Sequence, residues 1–306
     1  MTKIKDAIMG FVVGDALGVP YEFVSREEMK LNPAKDMVGY GTYNQPAGTW
    51  SDDTAMTLCV IENIINDGKS HHLAQLFIKW YKEAYHTATN EVFDIGNTTR
   101  IALNKIIAGQ SPKESGSRDS NSCGNGSLMR SAPYAFLDNF HKAMIQMNYN
   151  NRITHGHPLC HECCFLYCKL LQSLANGKDK LDAFRYSLGA LRQGWRLVDL
   201  EEIDYQRIQL FDRMMSEEFV SLKEEDIKST GYVLHSLEAA IWCFLNTGNY
   251  EAAVLKAVNL GGDTDTIAAL TGAMAGTYYG YDAIPKKWLD VIAKKDEIEL
   301  LLSKFI

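Results

Sequence analysis

The stretch "LGGDTDTIAALTGAMAGTYYG", Leu260 to Gly280, decides the fold that we expect for this chain. After Thr266 its side chains are mostly small or apolar, which lets a helix approach its neighbours closely. We therefore predict a central, tightly packed helix. Two carboxylates, on Asp263 and Asp265, crowd the beginning of this segment, and the remaining sequence has to explain what neutralises them. The small residues of the segment are Ala268, Ala269, Gly272, Ala273, Ala275 and Gly276.

Apolar residues recur at helical offsets through much of the remaining chain. One such segment ends on Asn176-Gly177, a pair typical of a helix C-terminus. Convincing strand alternation, internal repeats and low-complexity linkers are absent from the sequence. We therefore predict one all-α domain over residues 1–306, with functional loops between the helices. The predicted helical segments are Thr54–Asn66, Leu73–Tyr85, Cys163–Gly177, Gly231–Tyr250, Asn249–Gly262 and Thr266–Gly280.

Composition restricts the class of protein. The 306 residues are 46% apolar, and 31 basic against 38 acidic side chains give a net charge of −7. This acidity argues against a protein that binds a nucleic-acid backbone. No apolar run reaches the roughly 18 residues of a membrane span, and the N-terminus lacks a clear signal-peptide cleavage site. Seven cysteines in a long chain indicate reduced thiols. We expect a cytoplasmic monomer with no membrane partner.

Phosphate-binding glycine motifs are missing from the sequence. No G-x-G-x-x-G follows a predicted strand, and no Walker-type G-x-x-x-x-G-K is present. This absence argues against a nicotinamide enzyme and against a P-loop NTPase.

A second acidic cluster, in "GTWSDDTAMTL", repeats the design of the first: a loop, acidic residues and then an apolar helix. A single acid at such a place is explained by helix capping and by the helix dipole. Four carboxylates brought together would repel one another unless a cation or protons neutralised them. Hard divalent cations prefer such oxygen ligands. The oxygen donors of the two clusters are Ser51, Asp52, Asp53, Asp263, Asp265 and Thr266.

Five motifs, read in order along nearly the whole chain, resemble the ADP-ribosylglycohydrolase family. The segment "FDIGNTTRIAL" (Phe93–Leu103) is similar to the branch typified by dinitrogenase reductase-activating glycohydrolase. The resemblance implies an all-α orthogonal bundle, a binuclear Mg²⁺ or Mn²⁺ centre in a cleft, and hydrolysis of ADP-ribose from a modified side chain. The motifs are "GDALGVPYEF" (Gly14–Phe23), "GTWSDDTAM" (Gly48–Met56), "GNGSLMRSAP" (Gly124–Pro133), "THGHP" (Thr154–Pro158) and "LGGDTDTIAAL" (Leu260–Leu270).

By this resemblance, the six oxygen donors of the two acidic clusters are expected to be the metal ligands. Ser51 stands where threonine is commoner and keeps the hydroxyl. Asp94 matches an acid with a catalytic role in the arginine-directed branch, and Glu22 matches a glutamate near the metals and the reacting ribose. Asn97 is expected to shape the ADP-ribose pocket, and His155 to line the same cleft.

The motif "CGNGSLMRSAP" is our candidate for the pyrophosphate site. Glycines let backbone N–H groups approach an anion, although a glycine-bearing turn before a helix is the ordinary alternative. The family resemblance favours the anion site, with Arg130 either pairing with an internal acid or supporting the loop. The residues assigned to this site are Gly124, Asn125, Gly126 and Ser127.

Hydrolysis of ADP-ribosylarginine breaks an N-glycosidic bond, and positive charge builds on the ribose as the bond breaks. A carboxylate can stabilise that charge or activate water, and an acid can protonate the departing guanidine. Two metals would hold the ribose hydroxyls and polarise water. We expect Asp94 to be the leading acid/base and Glu22 the second candidate. The substrate partner is then an arginine-linked ADP-ribosylated protein or another ADP-ribose conjugate.

Three other functions stay open at this point. The same fold could act on serine-linked ADP-ribose or on a small ADP-ribosylated metabolite. The chain could bind ADP-ribose without catalysis, although its intact acidic set argues against this. Clustered carboxylates also suit a metal-dependent phosphohydrolase, which would release inorganic phosphate.

The stretch "HGHPLCHECCFLYC" raises the question of a zinc or redox site, since Cys160 and Cys163 form a C-x-x-C pair. Cys160, Cys164 and Cys168, however, repeat every four residues, as one buried helix face would. No second pair completes a zinc site. We interpret these cysteines as small core residues.

Overall fold

The computed structural model describes residues 3–66, 68–196 and 204–305, and within these ranges the chain is helical and contains no strand. Two isolated β-bridges, Ser117–His155 and Gly124–Tyr232, join loops. The predicted all-α class is confirmed. The helices are α1 Lys3–Gly18, α2 Arg26–Leu31, α3 Asp52–Ile65, α4 Ser70–Glu83, α5 Asn97–Ile107, α6 Pro112–Ser115, α7 Phe140–Asn151, α8 Pro158–Ala175, α9 Lys180–Arg196, α10 Tyr205–Gln209, α11 Asp212–Met215, α12 Val233–Leu245, α13 Tyr250–Val258, α14 Thr264–Tyr279, α15 Lys286–Leu289 and α16 Lys295–Leu302.

Short 3₁₀ segments connect many of these helices. They are Val19–Tyr21, Ser120–Ser122, Asn125–Ser127, Ala132–Phe136, Phe219–Ser221, Glu224–Asp226 and Tyr281–Ala283.

Each helical segment predicted from periodicity corresponds to one observed helix, namely α3, α4, α8, α12, α13 or α14, with ends that differ by a few residues. Helix α8 ends before Asn176 and Gly177, and Gly177 adopts a positive φ of 83°, as expected for a helix C-terminus. Helix α14 begins at Thr264, two residues before the predicted start, with Asp263 as its N-cap and Asp265 in its first turn.

Helices α1 and α14 form the most extensive helix–helix contact of the described chain. Gly10, Gly14 and Gly18 recur every four residues on α1, and therefore share one face of the helix. A Cβ atom on Gly14 would lie 2.2 Å from the carbonyl oxygen of Ala268, and one on Gly18 would lie 2.3 Å from the Cα of Asp265. The two backbones are therefore in direct contact. This contact begins at the first turn of α14, where the acidic cluster lies.

Both α1 and α14 are buried on almost every side, as expected for the central pair of a helical core. Helix α8 packs against α14, and the sulfurs of its Cys160, Cys164 and Cys168 contact the segment from Gly124 to Ser131. Cys160, Cys163, Cys164 and Cys168 are all fully buried, as their spacing predicted. Within the described ranges, none of the helices combines the length and hydropathy that crossing a membrane requires.

Candidate functional site

The N-terminal ends of α3 and α14 meet at one side of the core. Asp52 and Asp53 lie in the first turn of α3, and Asp265 lies in the first turn of α14. The Asp53 carboxylate interacts with the hydroxyl of Thr266, which joins the two helix ends directly. Two acidic clusters that are more than 200 positions apart in sequence thus form one site, as the sequence predicted.

Glu22 joins this site from the segment that follows α1. One carboxylate oxygen from each of Glu22, Asp263 and Asp265 lies within 4.8 Å of the other two. Within the part of the chain that the structure describes, this is the one group of potential ligand side chains that converges so closely. Such a spacing allows a single cation to contact all three carboxylates.

Asp15 sets the position of α3, and sequence analysis did not assign it a role. Its Oδ1 accepts a hydrogen bond of 2.9 Å from the Ser51 backbone N–H. Its Oδ2 accepts hydrogen bonds from the Thr54 N–H at 3.0 Å and from the Thr54 hydroxyl at 2.5 Å. A fully buried acid near the C-terminal end of helix α1 therefore caps α3 from outside. The sequence signal for this role was the presence of a charged residue, Asp15, within a largely apolar run.

The Ser51 side chain has a capping role in the structure. Its Oγ accepts a hydrogen bond from the Asp53 N–H at 3.2 Å, which makes Ser51 the N-cap of α3. The side chain is buried and does not line the cleft described below.

Three carboxylate oxygens of the site are buried without any hydrogen-bond partner: Glu22 Oε2, Asp53 Oδ2 and Asp265 Oδ2. A buried acceptor without a partner is costly, and a buried unpaired carboxylate more so. Burial, reinforced by the neighbouring carboxylates, raises the pKa of Glu22 to about 9 and raises the pKa values of Asp53 and Asp265 well above the usual range. Divalent cations would neutralise this cluster, and oxygen-only donors suit Mg²⁺ or Mn²⁺.

Asp94 lines the same cleft from the loop between α4 and α5, and its carboxylate lies close to those of Glu22 and Asp52. The Tyr43 hydroxyl donates a hydrogen bond of 2.6 Å to Asp94 Oδ1. Asp94 adopts a left-handed backbone conformation, with φ of 54°, which is uncommon for aspartate. Burial and the adjacent Asp94 and Glu22 carboxylates raise the pKa of Tyr43, so its hydroxyl stays protonated. Sequence analysis missed Tyr43, because no local pattern marks it.

The glycine-bearing loop contacts the acidic cluster directly. Asn125 Nδ2 donates a hydrogen bond of 2.6 Å to Asp263 Oδ2, and the Asn125 N–H donates to the Gly231 carbonyl at 3.0 Å. A Cβ on Gly126 would lie 2.8 Å from His155 Cε1, so the loop packs closely on the histidine ring. Gly124 and His155 also line the cleft.

Ser127 differs from the expectation for this loop. Its side chain is fully buried and lies 3.7 Å from the Cys164 sulfur, because the 3₁₀ turn Asn125–Ser127 directs it into the core. The Ser127 hydroxyl therefore does not face the cleft.

Arg130 supports the loop, one of the two roles considered for it. Its guanidinium donates hydrogen bonds to the Gly126 carbonyl at 2.5 Å and to Thr154 Oγ1 at 2.6 Å. Thr154 Oγ1 in turn lies 2.8 Å from His155 Nδ1. Burial, together with the charge of Arg130, lowers the pKa of His155 to about 3, so the imidazole is neutral at physiological pH.

The open space between these elements is a cleft of about 670 Å³. Asn97, at the beginning of α5, lies on its wall as predicted. Phe23 also lines the cleft and is 71% exposed, with a φ of 65°. Thr98, Thr99 and Met129, which lie within the quoted motifs, also line the cleft. A loop outside those motifs contributes Ser229, Thr230 and Gly231, which the sequence did not indicate.

Comparison with known proteins agrees with this geometry. The sequence profile of the ADP-ribosylglycohydrolase family matches residues 1–306. The chain is 32% identical to ADP-ribosylarginine hydrolase Tri1 of Serratia proteamaculans (strain 568), over 99% of this chain and 79% of that protein. It is 27% identical to ADP-ribosyl-[dinitrogen reductase] glycohydrolase of Rhodospirillum rubrum, over 96% of this chain and 91% of that protein.

A solved structure described as an ADP-ribosylglycohydrolase-related protein complex superposes with a TM-score of 0.81. It is 30% identical in sequence, and the match covers 99% of this chain and 96% of that one. The match in sequence and in structure thus extends over almost the whole length, helices and acidic cleft included. The chain therefore belongs to the ADP-ribosylglycohydrolase family.

Proposed function

We propose that this protein is a metal-dependent hydrolase that removes ADP-ribose from mono-ADP-ribosylated arginine side chains. The observation that carries the proposal is the set of partnerless buried oxygens on Glu22, Asp53 and Asp265, beside a cleft that Glu22, Asp53 and Asp94 line. The similarity to ADP-ribosylarginine hydrolase Tri1 supports arginine as the linked side chain.

The acidic cluster would hold two divalent cations, Mg²⁺ or Mn²⁺. Bound there, the cations would supply Lewis-acid polarisation and orient the ribose hydroxyls. Asp52 and Asp53 would approach them from α3, and Asp263 and Asp265 from α14, with Glu22 completing the set. The proposed ligands also include the hydroxyl oxygen of Thr266, which lines the cleft, whereas the Ser51 hydroxyl, expected as a ligand from the sequence, caps α3 instead.

The reaction breaks the bond between the ribose C1 and the guanidine nitrogen, and the oxygen of water forms the new bond to C1. One proton of that water leaves its oxygen, and one proton reaches the departing guanidine nitrogen, so charge is conserved. We assign Asp94 as the leading residue for these transfers and Glu22 as the second. The surrounding carboxylates would stabilise the positive charge that develops on the ribose.

The ADP moiety would lie along the loop that contains Gly124 and Gly126, whose backbone N–H groups would approach the pyrophosphate. Neutral His155 can hydrogen-bond to the ligand without placing a charge beside the ribose. Asn97 would contribute from the beginning of α5. Asn125 would act through its hydrogen bond to Asp263.

The test is release of ADP-ribose from an ADP-ribosylarginine protein, measured with Mg²⁺, with Mn²⁺ and with a chelator. We expect metal-dependent release by the wild type, loss of release in Asp265→Ala, and no change in Asp282→Asn, an exposed acid outside the cleft. If ADP-ribose were released only from a serine-linked substrate, serine would replace arginine as the linked side chain in our proposal. Metal-dependent ADP-ribose binding without turnover on any linkage would indicate a binding protein, and release of inorganic phosphate from nucleotides would indicate a phosphohydrolase.

A further inference from the structure

Tyr43 lies between the two carboxylates that we assign to proton transfer. Its hydroxyl donates to Asp94 Oδ1 at 2.6 Å and also interacts with the neighbouring Glu22 carboxyl group. A phenol carries a single proton and can donate to only one acceptor at a time. In this structure Asp94 accepts that hydrogen bond.

The segment that carries Tyr43 is attached to the segment that carries Glu22. The Thr42 N–H donates to the Pro20 carbonyl at 3.0 Å, and the Thr42 hydroxyl donates to the Glu22 carbonyl at 2.7 Å. A Cβ on Gly41 would lie 1.9 Å from the Pro20 oxygen, so the two backbones touch. Tyr43 therefore keeps a constant position relative to Glu22.

The loop that carries Asp94 has an irregular backbone. Ala84, His86, Asn90 and Asp94 all adopt left-handed conformations, with φ between 49° and 61°, which surrounding contacts have to maintain. At the Asp94 end, the ring of Phe93 packs against the ring of Tyr43, with 5.0 Å between their centroids. Ring packing holds the backbone there, and the phenol hydrogen bond acts on the carboxylate itself.

We propose that Tyr43 is a positioning residue, which orients the Asp94 carboxylate toward the reacting bond and holds it in register with Glu22. This inference rests on the proposed glycohydrolase function. Tyr43 does not have to touch the substrate for this role, since it acts through Asp94. Its hydroxyl should therefore affect the chemical step more than substrate binding or folding.

Tyr43→Phe separates these effects, because it removes the hydroxyl and keeps the ring on Phe93. Removing a hydrogen bond to a charged group of this kind should lower kcat by about 10-fold to 100-fold. We expect that loss with KM changed by less than about threefold and with an unchanged Tm. The matched control is Tyr40→Phe on the same segment, which is 70% exposed and should retain wild-type kcat and KM.

A double-mutant cycle tests whether Tyr43 acts through Asp94. In an Asp94→Asn background, Tyr43→Phe should produce little further loss of kcat. An equal loss in both backgrounds, or wild-type turnover by Tyr43→Phe alone, would overturn the proposal.

Crystal structures of the wild type and of Tyr43→Phe provide a readout that needs no activity. We expect the Asp94 side chain to occupy one rotamer in the wild type and to rotate or spread over several in the variant. An unchanged Asp94 rotamer would reject the role of Tyr43. If the wild type releases no ADP-ribose from arginine, the proposed function fails, while this structural comparison still decides whether Tyr43 positions Asp94.

Discussion

Gly14 of α1 lies so close to Ala268 of α14 that a methyl carbon on Gly14 would stand 2.2 Å from the Ala268 carbonyl oxygen. Asp15 follows Gly14 directly and caps α3 through Ser51 and Thr54. The backbone contact between α1 and α14 therefore also determines how the two acidic helix ends face each other. Stability and site geometry depend on the same few glycines.

Gly14→Ala should destabilise the protein. The added methyl group has backbone rather than a flexible side chain as its neighbour, and overpacking of this kind costs about 1–3 kcal/mol. Gly189→Ala in α9 is the matched control: it has no atom within 4 Å of the added carbon and should stabilise by roughly 0.5–1 kcal/mol through helix propensity. Chemical denaturation of the two variants measures whether the free energy of unfolding falls for Gly14→Ala and rises for Gly189→Ala. A Gly14→Ala protein as stable as the wild type would refute the tight contact.

Divalent cations should stabilise the folded protein, because they would provide partners for the partnerless carboxylate oxygens. When the free cation concentration is about 100 times Kd, binding of one ion raises the free energy of unfolding by about 2.7 kcal/mol. This corresponds to a rise in Tm of roughly 5 °C. Thermal unfolding with Mg²⁺, with Mn²⁺ and with chelator measures the effect.

Relative to the wild type, Asp265→Asn should raise Tm in the presence of a chelator and lower it in the presence of divalent cations. Removing one charge relieves repulsion in the chelated protein, so its Tm should exceed that of the chelated wild type. The response to cations should be lost or greatly reduced. Asp282→Asn should behave as the wild type in both conditions, and a full cation response in Asp265→Asn would argue against the proposed ligand set.

Glu238 should make stability depend on pH. Burial raises its pKa to about 7 in the folded chain, while Arg213 and Lys228 oppose the rise; the unfolded value is about 4.3. Between these values the folded state binds more protons than the unfolded state, so its stability falls as the pH rises from about 4.5 to about 7.

Glu238→Gln should therefore raise the free energy of unfolding at pH 8 by about 3–4 kcal/mol and change little at pH 4. Denaturation at both pH values measures this difference, with the exposed Glu217→Gln as control. An equal effect at both pH values would show that ionisation of Glu238 is not its cause.

The cysteines should be protected from a thiol reagent in the native protein. All seven are buried as free thiols, and the exposed fraction is 4% or less for each of them. Ellman's reagent should label them slowly before denaturation and react with all seven after it. Metal analysis of the same sample checks the interpretation of the α8 cysteines as core residues. Tight stoichiometric zinc, or rapid labelling of Cys160 or Cys163, would contradict it.

Much of the site could be predicted from the sequence because its acids lie at helix starts. Asp52 and Asp263 precede long apolar segments, so both local structure and charge can be inferred from neighbouring residues. Helix α1 escaped prediction because it is buried on nearly all sides and lacks an amphipathic pattern. Tyr43 escaped because its partner Asp94 is 51 positions away, and nothing adjacent to either residue indicates the pair.

The helical class and the acidic character of the site followed from the sequence alone, because they depend on periodicity and on side-chain chemistry. The tertiary structure was needed to show which oxygens lack partners, that the Ser127 side chain turns into the core, and that the Tyr43 hydroxyl donates to Asp94. Each of these depends on the relative placement of segments distant in sequence. That placement results from the close backbone contact of α1 with α14, an interaction between two helices that neither segment specifies by itself.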